Sequence, residues 1–158
     1  MPTEQLLPDH IMRVGMGFES SKALLSAVEL GVFTALAKEP MDVEALRLAI
    51  DIDRRSARDF FDVLVALGFL VREDGVYRNT PEADLYLDKG KPSYLHLGAL
   101  LEMANSRLYH IWGRLTECLQ TGKPQNEARD GESVFDVIYA DRDKLEQFLS
   151  SMTGISHA

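Results

Sequence analysis

The chain has 158 residues, 46% of them hydrophobic, and a formal net charge of -8. That is apolar material for one ordinary core, and the acidic balance works against unaided attraction to phosphate backbones or anionic membranes. No apolar run reaches the roughly 18 residues of a spanning helix, and the opening MPTEQLLPDH lacks a basic region followed by an apolar one, so the expected setting is cytoplasmic with no membrane partner.

Pro8 is placed to be the first residue of a helix through Ile11, Met12 and Val14, weakened at its end by Gly15 and Gly17. Ser20-Ser21 opens a second helix in which Ala23, Leu24, Ala27, Val28 and Leu30 are apolar on more than one face, a pattern that demands cover on several sides. Gly31 breaks it before a shorter piece at 32–36. Glu39-Pro40 closes that piece, because the residue before a proline disfavours the helical region.

The stretch 42–80, DVEALRLAIDIDRRSARDFFDVLVALGFLVREDGVYRNT, reads as a helix-turn-helix followed by a hairpin. Asp42 is an N-cap for Val43, Leu46, Ala49 and Ile50 at helical spacing, and Asp51-Ile52-Asp53 ends that helix. Ala57, Phe60, Phe61, Leu64 and Leu67 then line one face of a second helix, with Arg54, Arg55, Arg58, Asp59 and Asp62 opposite and Gly68 as the terminating glycine. The runs 69–72 and 76–79 read as strands around Glu73-Asp74-Gly75, and Asp-Gly between such runs is a hairpin signal. The expected fold class is mainly α: a winged helix-turn-helix with a small β-hairpin wing plus additional dimerisation helices.

After the wing, Thr80-Pro81 starts a short helix with Ala83, Leu85 and Leu87, and 88–92 is a loop. Residues 94–103 predict a helix opening at Tyr94, with Leu95, Leu97, Leu100, Leu101 and Met103 spread around its axis. Leu108, Ile111, Trp112, Leu115 and Leu119 form a continuous helical stripe that Gly122 terminates, and Cys118, the only cysteine, reads as an inert buried thiol on it. A polar loop at 123–132 leads to a helix capped by Ser133 with Phe135, Val137 and Ile138, and to a last one capped by Asp141 with Leu145, Phe148, Leu149 and Met152. The oily segments at 20–36 and 94–103, with the 145/148/152 stripe, exceed what one small domain hides. Exposed apolar patches of that kind mark interfaces, so an entwined homodimer is expected, with a single monomeric core as the alternative.

Catalytic constellations are absent. One cysteine beside His10, His96, His110 and His157, with no histidine pair four apart, does not make a metal site. There is no G-x-S-x-G elbow, and Gly15-Met16-Gly17 has neither the preceding strand nor the third glycine of a dinucleotide loop. A winged helix invites a nucleic-acid reading through Arg54, Arg55 and Arg58. Yet 42–80 holds six arginines against eight acidic residues, a net of -2, where a DNA-binding domain shows a basic patch. Pairs Arg55–Asp59 and Arg58–Asp62 along the helix are expected instead, and no specific nucleic acid is expected as a partner.

The runs SKALLSAVELGVFTALA (21–37), ARDFFDVLVALGFL (57–70), DGVYRNTPEADLYL (74–87) and FDVIYADRDKLEQFLSSMTG (135–154) closely resemble the N-terminal dimerisation domain of S-adenosylmethionine-dependent O-methyltransferases of the caffeate, acetylserotonin and bacterial polyketide-tailoring type. The resemblance covers nearly the whole chain. It implies one winged-helix-like dimerisation domain over 1–158, with a core at 38–80 and a helical extension at 81–158. It further implies an interlocked homodimer and a following Rossmann-like domain that binds S-adenosylmethionine and carries the catalytic base. That domain is expected to be absent from a chain ending at Ala158, so no catalytic, cofactor or metal residue is assigned and the chain alone is expected to be inactive.

In the resembling family, helices after the wing close one side of the site for a small hydroxylated, aromatic acceptor. The matching positions are Met103, Asn105, Tyr109 and Trp112, with Met16 and Phe18 as weaker candidates from the partner chain; soft apolar faces with a few polar tips suit a flat aromatic ligand. Met103 and Trp112 also fit core stripes. The alternative function is a stand-alone winged-helix transcriptional regulator or small-ligand-binding protein.

Overall fold

The computed structural model describes residues 7–92, 95–126, 128 and 133–157. Helices α1 (Asp9–Gly15), α2 (Gly17–Glu29) and α3 (Val32–Lys38) lead into a two-residue strand β1 (Met41–Asp42). Helices α4 (Val43–Ala49) and α5 (Arg54–Ala66), strands β2 (Leu70–Glu73) and β3 (Val76–Asn79), and α6 (Pro81–Leu87) follow. Beyond them lie α7 (Gly98–Met103), a π-helical turn (Ala104–Leu108), α8 (Tyr109–Trp112), α9 (Leu115–Thr121), α10 (Val134–Ala140) and α11 (Arg142–His157). No single described helix is long and apolar enough to cross a membrane.

Side-chain caps set the helix starts. Asp42 accepts from the Ala45 N–H at 2.8 Å, Thr80 from Ala83 at 3.4 Å, and Ser133 from Phe135 at 3.2 Å, while Asp141 accepts from Asp143 and Lys144. Pro8 sits one place earlier than expected, at the cap of α1, and α2 starts at Gly17 rather than at Ser20-Ser21. Asp74 and Gly75 both have positive φ (51° and 81°), the geometry of a two-residue type I′ turn. The loop is therefore shorter than the sequence implied: Glu73 belongs to β2 and pairs with Val76, and Phe69 precedes the strand. β1 adds a third strand on the other edge, with Met41 opposite Tyr77 and order β1-β3-β2.

One core gathers α2 to α6 and the sheet. Val32, Phe33, Leu46, Phe61, Leu64, Leu70 and Tyr77 are fully buried, and Phe61 meets Tyr77 edge-on with ring centroids 5.4 Å apart. Ala27, Val28, Val32, Phe33 and Leu36 belong to this same cluster, so much of the oily 20–36 segment is covered within the chain, while Leu30 stays 38% exposed. More uncovered apolar surface lies before it. Helix α1 buries none of its residues, and Ile11, Met12, Val14, Met16 and Phe18 are exposed.

Tyr77 donates to Asp62 Oδ1 at 2.7 Å, and Arg72 shares that carboxylate at 3.2 Å. Burial and this hydrogen bond push the Tyr77 hydroxyl from its ordinary 10.0 up to about 12. The folded chain then keeps a proton that the unfolded chain releases, so this contribution is whole below pH 10 and is lost as pH rises through 12. Tyr77→Phe, which gives up a hydrogen bond of ~1 kcal/mol at neutral pH, is expected to flatten the alkaline decline seen in urea melts of the wild-type chain between pH 9 and 11.

The C-terminal helices depart most from expectation. The 94–103 helix begins only at Gly98; Leu95 to Leu97 are not helical, and its expected opening residue Tyr94 lies outside the described residues. A Cβ at Gly154 of α11 would lie 2.8 Å from the His96 carbonyl oxygen, and one at Gly98 would strike the His96 ring, so two glycines let the 95–97 segment nest between α7 and α11. Ser151, fully buried, lies 3.1 Å from the Ala99 carbonyl and ties the two helices further. The stripe from Leu108 to Leu119 is not one helix: the π turn precedes it and Gly113-Arg114 interrupts it. Trp112, Leu115 and Leu119 are exposed, and Cys118 is half-buried rather than buried. The 123–132 loop falls partly outside the described residues.

Candidate functional site

A cavity of about 340 Å³ opens between the π turn and the last two helices. Met103, Arg107, Leu108 and Ile111 form one wall, and Val134, Phe135, Ile138 and Phe148 the other. Its size falls in the range of small-molecule sites, and its walls are almost wholly apolar. Phe135 stands edge-on to Phe148 at 6.4 Å and stacks with Tyr139 at 6.5 Å, giving the mouth an aromatic lip. A smaller hollow of about 140 Å³ shares Ile111 and is lined by Trp112, Leu115, Cys118 and Gln125.

The four expected acceptor residues divide between two faces. Met103 lines the larger cavity and Trp112, 67% exposed, the smaller hollow. Asn105 and Tyr109 turn the other way, toward α2. Asn105 is 8% exposed; its Oδ1 accepts from Lys22 Nζ at 2.5 Å and its Nδ2 donates to Glu29 Oε2 at 2.6 Å. The Lys22 ammonium lies 5.7 Å from the centroid of the Tyr109 ring. The wall residues of α10 and α11 were missed in the sequence, where Phe135, Ile138 and Phe148 carry only the signal of amphipathic helices.

The face of α5 invited by the nucleic-acid reading is occupied by ion pairs. Arg54 Nε lies 3.3 Å from Glu44, Arg58 Nε 3.6 Å from Asp62, and Arg72 also reaches Asp62. Among the described residues no ion pair joins Arg55 to Asp59, contrary to expectation; the Arg55 backbone N–H donates to Asp53, the cap of α5. No described group of three or more His, Cys, Asp or Glu residues could hold a metal ion.

Comparison with known proteins adds the following. Residues 12–89 match the family described as the O-methyltransferase dimerisation domain. The tetracenomycin polyketide synthesis 8-O-methyl transferase of Streptomyces glaucescens is 43% identical over 150 residues, covering 94% of this chain and 43% of that enzyme. The N,N-dimethyltransferase OxyT of Streptomyces rimosus is 34% identical over 147 residues, covering 92% and 42%. Human N-acetylserotonin methyltransferase in complex with SAM shares the fold with a TM-score of 0.84 at 24% identity, over 100% of this chain and 48% of that one. The chain thus spans less than half the length of the curated relatives it matches.

Proposed function

Because the chain belongs to the family of O-methyltransferase dimerisation domains, we propose that it forms a homodimer and supplies one side of the acceptor site of an S-adenosylmethionine-dependent methyltransferase. The helix-turn-helix and hairpin act as a winged-helix packing unit. The acceptor is a small hydroxylated aromatic molecule, received by the cavity between the π turn and α10–α11; Met103 contacts it directly, Trp112 borders the mouth, and Asn105 and Tyr109 act from behind the wall. Met16 and Phe18, exposed at the start of α2, are the residues by which a partner chain reaches in. The methyl donor and the catalytic base are assigned to no residue here; a Rossmann-like domain outside these 158 residues supplies them.

The observation that carries this reading is the 340 Å³ apolar cavity with its aromatic lip. One wall of a site binds weakly: at about 0.3 kcal/mol per heavy atom, 1-naphthol is expected to bind with a Kd of about 4 mM. Methyl NMR of the chain titrated with 1-naphthol should move Met103 and Ile138 and leave Ile50 of the core in place. Saturation at Ile50 alone, or no response at Met103 and Ile138 at several millimolar, would remove the acceptor reading.

The regulator alternative rests on α5 and is disfavoured by its ion pairs. Free arginines are needed to neutralise phosphates, and Arg54 and Arg58 are engaged. The expected result is no sequence-specific duplex binding in fluorescence anisotropy at 150 mM salt. Submicromolar binding that Arg54→Ala and Arg58→Ala abolish would restore the regulator.

A further inference from the structure

The π turn is the least expected element of the chain, and its cause is visible. Lys22 and Glu29 stand seven residues apart on α2, two turns along one face, and Asn105 sits between them. An amide carries its acceptor and its donors on separate atoms, so Asn105 can serve the ammonium and the carboxylate at once. Both contacts are short and charge-assisted. They hold Asn105 against α2 at the place where the backbone takes an extra residue, with the Tyr109 N–H bonding back to the Ala104 carbonyl across five positions. Such insertions are uncommon in helices and concentrate at functional sites.

The extra residue decides what the cavity wall is made of. Met103 and Leu108 both line the cavity although they are five apart; in an unbroken α-helix, neighbours on one face are three or four apart. The i→i+5 turn brings them to the same side. Arg107 and Ile111, four apart, complete the wall.

We propose that Lys22, Asn105 and Glu29 form a clamp that pins the π turn and thereby sets the acceptor size the cavity admits, with Asn105 a positioning residue rather than an acceptor ligand. The specificity role rests on the reading of the cavity as the acceptor site; the clamp itself does not. When the clamp is released, the helix relaxes toward α geometry, Leu108 rotates out of line with Met103, and the wall changes shape. Lys22 and Glu29 are exposed residues, so each regains water when Asn105 is replaced by an apolar side chain of similar size, and the variants are expected to fold.

Asn105→Leu and Lys22→Met test this by two readouts on the whole chain. Hydrogen exchange at the Tyr109 amide should accelerate at least tenfold in both variants while the Leu64 amide of the core keeps its wild-type rate. Methyl-NMR titrations with phenol and with 1-naphthol should show the ratio of the two dissociation constants shifting at least threefold, a change that uniform loosening does not produce. Unchanged exchange at Tyr109, or a crystal structure of Asn105→Leu that keeps the Tyr109-to-Ala104 bond, overturns the clamp. Accelerated exchange with an unchanged phenol-to-naphthol ratio overturns the specificity role. A wild-type chain that binds neither phenol removes the acceptor reading and leaves the exchange measurement to judge the clamp alone.

Discussion

Ile11→Asp combined with Val14→Asp is expected to convert a dimer into a folded monomer. These two side chains are 74% and 67% exposed, and α1 as a whole buries no residue, so a carboxylate at either position stays hydrated and costs the isolated fold little. In a dimer, the same positions fall inside an apolar contact, where an unpaired charge is expensive. An obligate interface needs roughly 2,000 Å² or more, and among the described residues α1 with Met16 and Phe18 is the longest run of exposed apolar side chains available to build it. Light scattering should move from the mass of two chains to that of one, with the helical circular dichroism signal retained. The thermal midpoint of the wild type should rise with protein concentration and that of the variant should not. Phe61→Ala provides the contrast: Phe61 is fully buried, its truncation costs about 3–5 kcal/mol, and it should lower the midpoint of monomer and dimer alike. A wild-type chain that is monomeric at 50 micromolar sinks the assembly reading.

Local chemistry was readable in the sequence: Asp42, Thr80, Ser133 and Asp141 cap helices because a short oxygen-bearing side chain before an apolar period has few other uses, and Gly68, with φ of 81°, ends α5. What failed was any inference needing to know which surface covers which. The segment at 20–36 is oily on several faces because α4, α5, α6, α7 and the sheet pack around it within one chain, while modest α1 is left bare.

The candidate site was legible only as a neighbourhood. The run from Met103 to Trp112 does border the cavity, but a periodic pattern assumes a constant helical step, and the π turn shifts the phase midway. Asn105 and Tyr109 consequently face α2 while Leu108 and Ile111 face the cavity. Nothing in ANSRL marks the extra residue; it is legible only once Lys22 and Glu29 are seen on either side of Asn105, some 76 to 83 positions away in the chain. The opposite wall, from Phe135, Ile138 and Phe148, is likewise a product of α10 and α11 folding back.

Leu108→Trp is expected to abolish binding in the cavity. Leu108 lies on the wall with its side chain partly exposed toward the opening, so an indole there projects into the space between Met103 and Phe135 without having to displace the buried core. The lining of the 340 Å³ cavity is mostly apolar, with Arg107 and Asn126 as its polar members, and affinity in an apolar site follows the area removed from water. A loss of more than tenfold in 1-naphthol affinity, above about 1.4 kcal/mol, should appear in methyl-NMR titrations at Ile138. Leu119→Trp, on the exposed face of α9 and outside the cavity lining, should leave the titration unchanged. In an enzyme where this chain is joined to a methyl-donor domain, Leu108→Trp should raise the acceptor KM and leave the donor KM unaltered, because no residue assigned here touches the donor. An unchanged acceptor KM, or a donor KM that rises in step with it, would place the acceptor outside this cavity.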